Sequence, residues 1–324
     1  MERLDAFMAR AAQAYYAKGE GIGRDFTTAP EMSQAFGECL GLWAAVSWQM
    51  MGAPDRVLLV ELGPGRGTLM ADALRAVGEM MPAFAQAAEV HLVETSPTLR
   101  NMQAARLGGR VTAWHDGIET LPDGPAILLA NEFFDALPIR QFVRQEEGWR
   151  ERFVSDGNFI DQPSDYDETS PFGAVREICE PARAIAASLA ARIAAQDGVL
   201  LVLDYGPAES GFGDTLQALR GNERAAPLAD PGDADITAHV DFAALAAAGR
   251  SAGATAHGPL PMGLFLQRLG LMARSAMLAQ VKPTSAAPIL AAAQRLVAPE
   301  GMGRLFKALA LAHPALPTPA GFES

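Results

Sequence analysis

The residues Val57-Leu58-Leu59-Val60-Glu61-Leu62-Gly63-Pro64-Gly65-Arg66-Gly67-Thr68 constrain this chain more than any others. Four consecutive apolar residues followed by an acid and a glycine-rich turn predict a buried strand running into a helix, here over about 69–77. A continuous apolar run needs both faces covered, so the strand belongs at the centre of a parallel sheet. The glycines let the backbone turn tightly and leave room for a ligand to approach it.

The rest of the chain repeats that theme. Strands are expected over 89–94, 110–114, 126–130 and 199–203, each ending on or just before a polar or acidic residue: Glu94, His115-Asp116, Asn131-Glu132 and Asp204. Strands alternating with helical segments predict a doubly wound α/β sheet, with ligands beyond the carboxyl ends of its strands. Glu61, Glu94, Asp116 and 131–135 then line one crevice. Residues 140–154 read as a hairpin, 155–172 as a polar loop, about 175–195 as an Ala-rich helix and 207–235 as a long loop. A sixth strand near 254–260, helices at about 263–279 and 285–297, and a last strand at 306–312 complete the chain.

Upstream, residues 1–18 carry Leu4, Phe7, Met8 and Ala11 on one helical face. After the glycine-rich 19–26, Thr28-Ala29-Pro30-Glu31 predicts a helix start with Thr28 as N-cap and Glu31 closing a capping box, though Glu31 also suits a catalytic role. Asp25 is either a turn former or an acid of the site.

With 26 Lys and Arg against 38 Asp and Glu, the chain of 324 residues carries a net charge of -12. That balance argues against non-specific nucleic-acid binding, which rests on neutralising phosphates with basic side chains. Cys39 and Cys179 have no metal-ligand spacing and are expected to be reduced, buried thiols. No apolar run approaches the ~18 residues a membrane span requires. With early acids at Glu2 and Asp5 and no secretory core, the expected location is cytoplasmic.

The turn itself is not the GxGxxG dinucleotide fingerprint, because the third glycine comes one residue early. Glu61, two residues before the first glycine, would repel a pyrophosphate but suits an ammonium or sulfonium group, as in S-adenosylmethionine (SAM). Glu94 is placed to accept both ribose hydroxyls, and Asp116 to accept from the adenine amino group. Gly63, Gly65, Gly67, Thr68, Asn131 and Thr28 complete the expected cofactor set. His239, just before a capping Asp241, is a candidate proton acceptor or an ordinary loop histidine.

Glu61-Leu62-Gly63-Pro64-Gly65-Arg66-Gly67-Thr68 resembles motif I of the class I methyltransferases. Together with Arg24-Asp25-Phe26-Thr27-Thr28-Ala29-Pro30-Glu31, Asn131-Glu132-Phe133-Phe134-Asp135-Ala136-Leu137-Pro138 and Asp235-Ile236-Thr237-Ala238-His239-Val240-Asp241-Phe242, it resembles the MidA-like family. That family includes the mitochondrial protein-arginine methyltransferase needed for assembly of respiratory complex I. Family members carry a longer N-terminal segment than the one ahead of Tyr15-Tyr16 here. The resemblance implies a seven-stranded, mostly parallel sheet with an antiparallel last strand and helices on both faces. Residues 1–56 would form a helical cap and 57–324 a SAM-binding domain with insertions near 140–172, 207–236 and 262–300. It further implies a protein substrate bearing arginine, with Glu132 as the main guanidinium clamp and Asp135 or Asp25 as the second. Asp135 also suits an N-cap. Other SAM-dependent acceptors, a SAM-stabilised assembly chaperone and a homodimer stay open.

Overall fold

The computed structural model describes residues 1–19 and 27–323. Asp25, one of the expected site acids, lies outside the described residues. Seven strands form the central sheet: β1 (Val57–Leu62), β2 (Ala88–Val93), β3 (Val111–His115), β4 (Ala126–Asn131), β5 (Gly198–Tyr205), β6 (Thr255–Pro261) and β7 (Phe306–Ala312). Their order is β6-β7-β5-β4-β1-β2-β3. β7 runs antiparallel to both neighbours, and the other pairings are parallel. The order reverses beside β1 and β4, which opens a crevice at their carboxyl ends.

Continuous apolar strands are explained by two cores. Leu59, Ile127, Leu129 and Leu201 pack on one face, against Phe36, Leu40 and Trp43; Leu58, Val60, Leu128 and Leu200 pack on the other, against Ala186, Leu189 and Leu245. The first face is covered mainly by α3 (Gln34–Met50) and α4 (Thr68–Met80), which follow the short α2 (Ala29–Met32), whereas α1 (Leu4–Lys18) packs in a separate cluster with Ile139, Val154 and Ile236. α3 and α4 approach closely because a Cβ on Gly41 would lie 2.6 Å from the Cα of Ala73.

Three expectations change. The capping box does not form: Thr28 makes no side-chain cap bond, and Glu31 instead accepts from the Thr68 hydroxyl. Residues 158–163 are a strand, Asn158–Pro163, paired with Gly148–Ser155; Val175–Ile178 pairs with Arg140–Gln145, so the Ala-rich helix starts only at Glu180. The long 207–235 loop holds the strands Gln217–Arg220 and Glu223–Ala225, joined to Asp235–Thr237 as an antiparallel sheet. All these strands pair across longer separations or with weaker alternation than a local pattern reveals.

Candidate active site

A cavity of about 640 Å³ opens at the carboxyl ends of β1 to β4, roofed by α1 and residues 28–31. It falls within the ~300–1,000 Å³ usual for small-molecule sites. Among its lining residues are Thr28, Glu61, Gly63, Gly65, Thr68, Glu94, Asp116, Asn131 and Glu132, nine of the expected set. Gly67, Asp135 and His239 are not among them.

At one end, the glycine turn is built from positive φ angles of 60°, 53° and 75° at Gly63, Gly65 and Gly67. A Cβ on Gly63 would stand 2.9 Å from the ring of Phe133, so the close approach requires glycine. Gly67 serves as the N-cap residue of α4 rather than as a lining residue. Glu61 is only 3% exposed, and its Oε2 has no hydrogen-bond partner. Burial pushes its carboxyl up to about 8, with a backbone N–H from Met70 opposing. An unsatisfied buried carboxylate oxygen facing a cavity matches a cationic ligand group.

Glu94 accepts from the Ser96 N–H at 2.8 Å and from Gln103 Nε2 at 3.3 Å. Burial raises its carboxyl as well. Gln103, which sequence reasoning missed, also donates to the Gly65 carbonyl at 2.7 Å and accepts from Trp114 Nε1 at 2.8 Å. It lies on α6 (Pro97–Leu107), which follows α5 (Pro82–Ala87), and fixes the turn and the acid relative to each other. The Asp116 carboxylate reaches the cavity rim but is largely exposed and pairs with Arg100 at 2.7 Å. The residues at this end fit SAM: an orphan acid for its cationic groups, a held acid for a diol, and a glycine turn that leaves space.

The other end holds acids. Glu132 has φ 50°, an uncommon left-handed conformation for a residue other than glycine. Its Oε1 accepts from the Ala29 N–H at 3.1 Å and from Asn131 Nδ2 at 3.2 Å. Burial pushes its carboxyl up to about 7, against those two hydrogen bonds. Behind it, burial and the Glu132 charge push the Asp135 carboxyl to about 7. Asp235 adds to the negative field on Glu132 and accepts from the Tyr16 hydroxyl at 2.9 Å. Phe133 lines the cavity, whereas Phe134 is core. The imidazole of His239 packs edge-on to Tyr205 at 5.5 Å and is not among the cavity-lining groups, and the backbone N–H of His239 donates to the Thr215 hydroxyl. Tyr16 and Asp235 receive no role from the sequence, and Asp204 is read there only as an acidic strand end, although Asp235 opens one of the family motifs.

This sheet order, glycine turn and cavity define a class I SAM-dependent methyltransferase fold. A family model described as "Putative S-adenosyl-L-methionine-dependent methyltransferase" matches residues 39–260. The chain belongs to that family, and it is a SAM-dependent methyltransferase. It is similar to "Protein arginine methyltransferase NDUFAF7, mitochondrial" of Danio rerio, at 35% identity over 90% of this chain and 78% of that protein. The protein of the same name from Homo sapiens is 33% identical over 96% of this chain and 79% of its own length. A likely methyl transferase from Burkholderia thailandensis, solved with S-adenosyl-homocysteine bound, superposes with a TM-score of 0.84 at 27% identity, covering 99% of this chain and 88% of that one. The expected cytoplasmic location is corrected by these comparisons, since the curated relatives are designated mitochondrial. Among the described residues no helix is long and apolar enough to cross a membrane.

Proposed function

We propose that the enzyme methylates the guanidinium of an arginine in a protein substrate, as the names of the relatives suggest, the family resemblance alone implying that the substrate is a subunit of respiratory NADH:quinone oxidoreductase. The observation that carries this reading is Glu132, held in a left-handed conformation at the cavity wall with Asp135 and Asp235 adding negative charge around it. In this reading Glu61 meets the charged groups of SAM, Glu94 its ribose and Asp116 the rim beside adenine. Gly63, Gly65, Gly67, Thr68, Asn131 and Thr28 shape the rest of the cofactor space. Residues 1–56 act as the cap and 57–324 as the SAM-binding domain.

Bound SAM supplies an electrophilic methyl group on a sulfonium. The protein's task is to present a nucleophile in line with it, a positioning effect that can contribute ~7–11 kcal/mol. A guanidinium is a poor nucleophile because its lone pairs are delocalised and its charge persists at any relevant pH. A carboxylate bridging two of its nitrogens draws positive charge towards them and away from the third. Glu132 is suited to that grip, and a carboxyl that titrates at about 7 is also suited to taking the proton that the methylated nitrogen releases. His239, which is not among the cavity-lining groups, has no part in this scheme.

Glu132→Gln tests it. Methyl transfer from labelled SAM to the proteome of cells lacking the enzyme is expected to fall by about 10²–10³-fold. SAM affinity, measured calorimetrically, should change less than about twofold, since a tenfold change needs 1.4 kcal/mol. Undiminished transfer would overturn the clamp, and mass spectrometry of lost methyl-arginine identifies the acceptor.

A further inference from the structure

Asp204, at the carboxyl end of β5, has the most unusual surroundings of any buried acid in the described structure that does not touch the cavity. It is 0% exposed. A single oxygen, Oδ2, accepts from three consecutive backbone N–H groups: Phe133 at 3.2 Å, Phe134 at 3.0 Å and Asp135 at 3.2 Å. The other oxygen accepts from the Tyr205 N–H at 2.9 Å. Successive N–H groups converging after a left-handed residue form a nest, a concavity that binds anions. Here the left-handed residue is Glu132, and the acceptor seated in the nest is the Asp204 carboxyl oxygen of the neighbouring strand. β4 and β5 are in register at Asn131 and Leu203, and the Glu132 N–H continues that ladder to the Leu203 carbonyl at 2.9 Å.

We propose that Asp204 is a positioning residue for methyl transfer: by seating its carboxylate in the 133–135 nest it holds Glu132 in its left-handed conformation and aims that side chain into the cavity. The inference rests on Glu132 being the acceptor clamp. A loop that needed only a cap would be served by a hydroxyl or an amide, which caps N–H groups without burying charge. A carboxyl is the costlier choice here, because burial, then the neighbouring Asp135 and Glu132, push it well above the usual carboxylate range. What it gives in return is one strong acceptor that gathers three donors at a single point, so the loop has one seating rather than several. The left-handed strain at Glu132 persists only where such surroundings fix it.

Amide hydrogen exchange, read residue by residue in the full chain, tests the anchor without relying on turnover. In the natural protein the 133–135 amides should be as protected as those of β4; fast exchange there overturns the proposal even if no variant folds. In Asp204→Asn, exchange at 133–135 should rise at least about tenfold while β4 is unchanged and SAM affinity stays within about twofold. The initial rate of methyl transfer to the same proteome probe should fall at least about tenfold. Unchanged exchange, or a loosened loop with an undiminished rate, overturns it. Full-rate Glu132→Gln removes the clamp and this inference with it; a slow Glu132→Gln beside a full-rate Asp204→Asn removes this inference alone.

Discussion

At the cofactor end of the cavity, Glu94 is held by Ser96 and Gln103, two and nine residues away in the chain. At the acceptor end, Glu132 is held by Ala29, 103 residues away, and its loop by Asp204, about 70 residues on; Tyr16 and Asp235, paired there, are separated by 219. The first end is a local assembly of strand, turn and helix, and the second is gathered from four distant parts of the fold. Cofactor chemistry is shared by many methyltransferases, so a compact, self-contained unit suffices for it. Acceptor choice is where they differ, and on the proposed reading it depends here on how distant elements meet.

The contrast can be attacked from the cofactor side, beginning with the largest effect. Gly63→Ala places a Cβ against Phe133 and forces alanine to a φ of 60°. Left-handed strain of ~1–2 kcal/mol with overpacking of ~1–3 kcal/mol should weaken SAM binding about 100-fold by calorimetry. Because Phe133 belongs to the acceptor loop, this substitution should also speed amide exchange at 133–135. If it does not, the two ends are more independent than the shared ring implies.

An effect of similar size, spread over two pH units, separates the ends by pH. The Glu61 carboxyl titrates at about 8 instead of its usual 4.5, so below pH 8 it must lose a proton to meet a cation. SAM affinity should therefore rise by roughly tenfold per pH unit between about 6 and 8 and flatten above, with the slope abolished in Glu61→Gln. The stability sign is the reverse. An acid whose folded-state value is raised contributes to the ligand-free fold at low pH, and that contribution is lost as pH rises through 8. Thermal melts with and without S-adenosyl-homocysteine should diverge over that window. A slope that survives Glu61→Gln would move the titration to the acceptor acids and blur the division.

Gln103→Ala should have the smallest effect. It removes the links to Gly65, Glu94 and the Trp114 N–H together. Loss of ~1–3 kcal/mol of stability is expected, with SAM affinity falling only about fivefold and the acceptor loop unmoved.

Legibility in the sequence follows the same division. β1, the glycine turn and the four polar strand ends could be placed because strand, turn and ligand contact fall within a dozen residues. The position of Glu61 leads to the expectation of a cationic partner, and its orphan oxygen supports that proposal. Gln103 could not, since a polar residue on a helix face signals solvent until the sheet shows what it points at. The spacing of Glu31 fits a cap as well as a catalytic role; the Thr68 hydroxyl, 37 residues on, competes successfully with the cap for its carboxylate. The sequence leaves Asp135 between capping and clamping, and the structure puts it behind Glu132 rather than in the cavity wall. His239 has the right neighbours in sequence but is not among the cavity-lining groups. The strand at Asn158–Pro163 was missed because Phe159 and Ile160 are both exposed, which defeats the alternation that marks a strand.

The last turn of α1 is tied to both ends of the cavity at once. The Ser96 hydroxyl donates to the Tyr16 carbonyl at 2.8 Å and Thr98 to the Ala17 carbonyl at 3.0 Å, while the Tyr16 hydroxyl donates to Asp235 at 2.9 Å. If a spent cofactor leaves only when this turn lifts, these bonds must open together, and turnover is then paced by the unfastening rather than by the methyl group's passage.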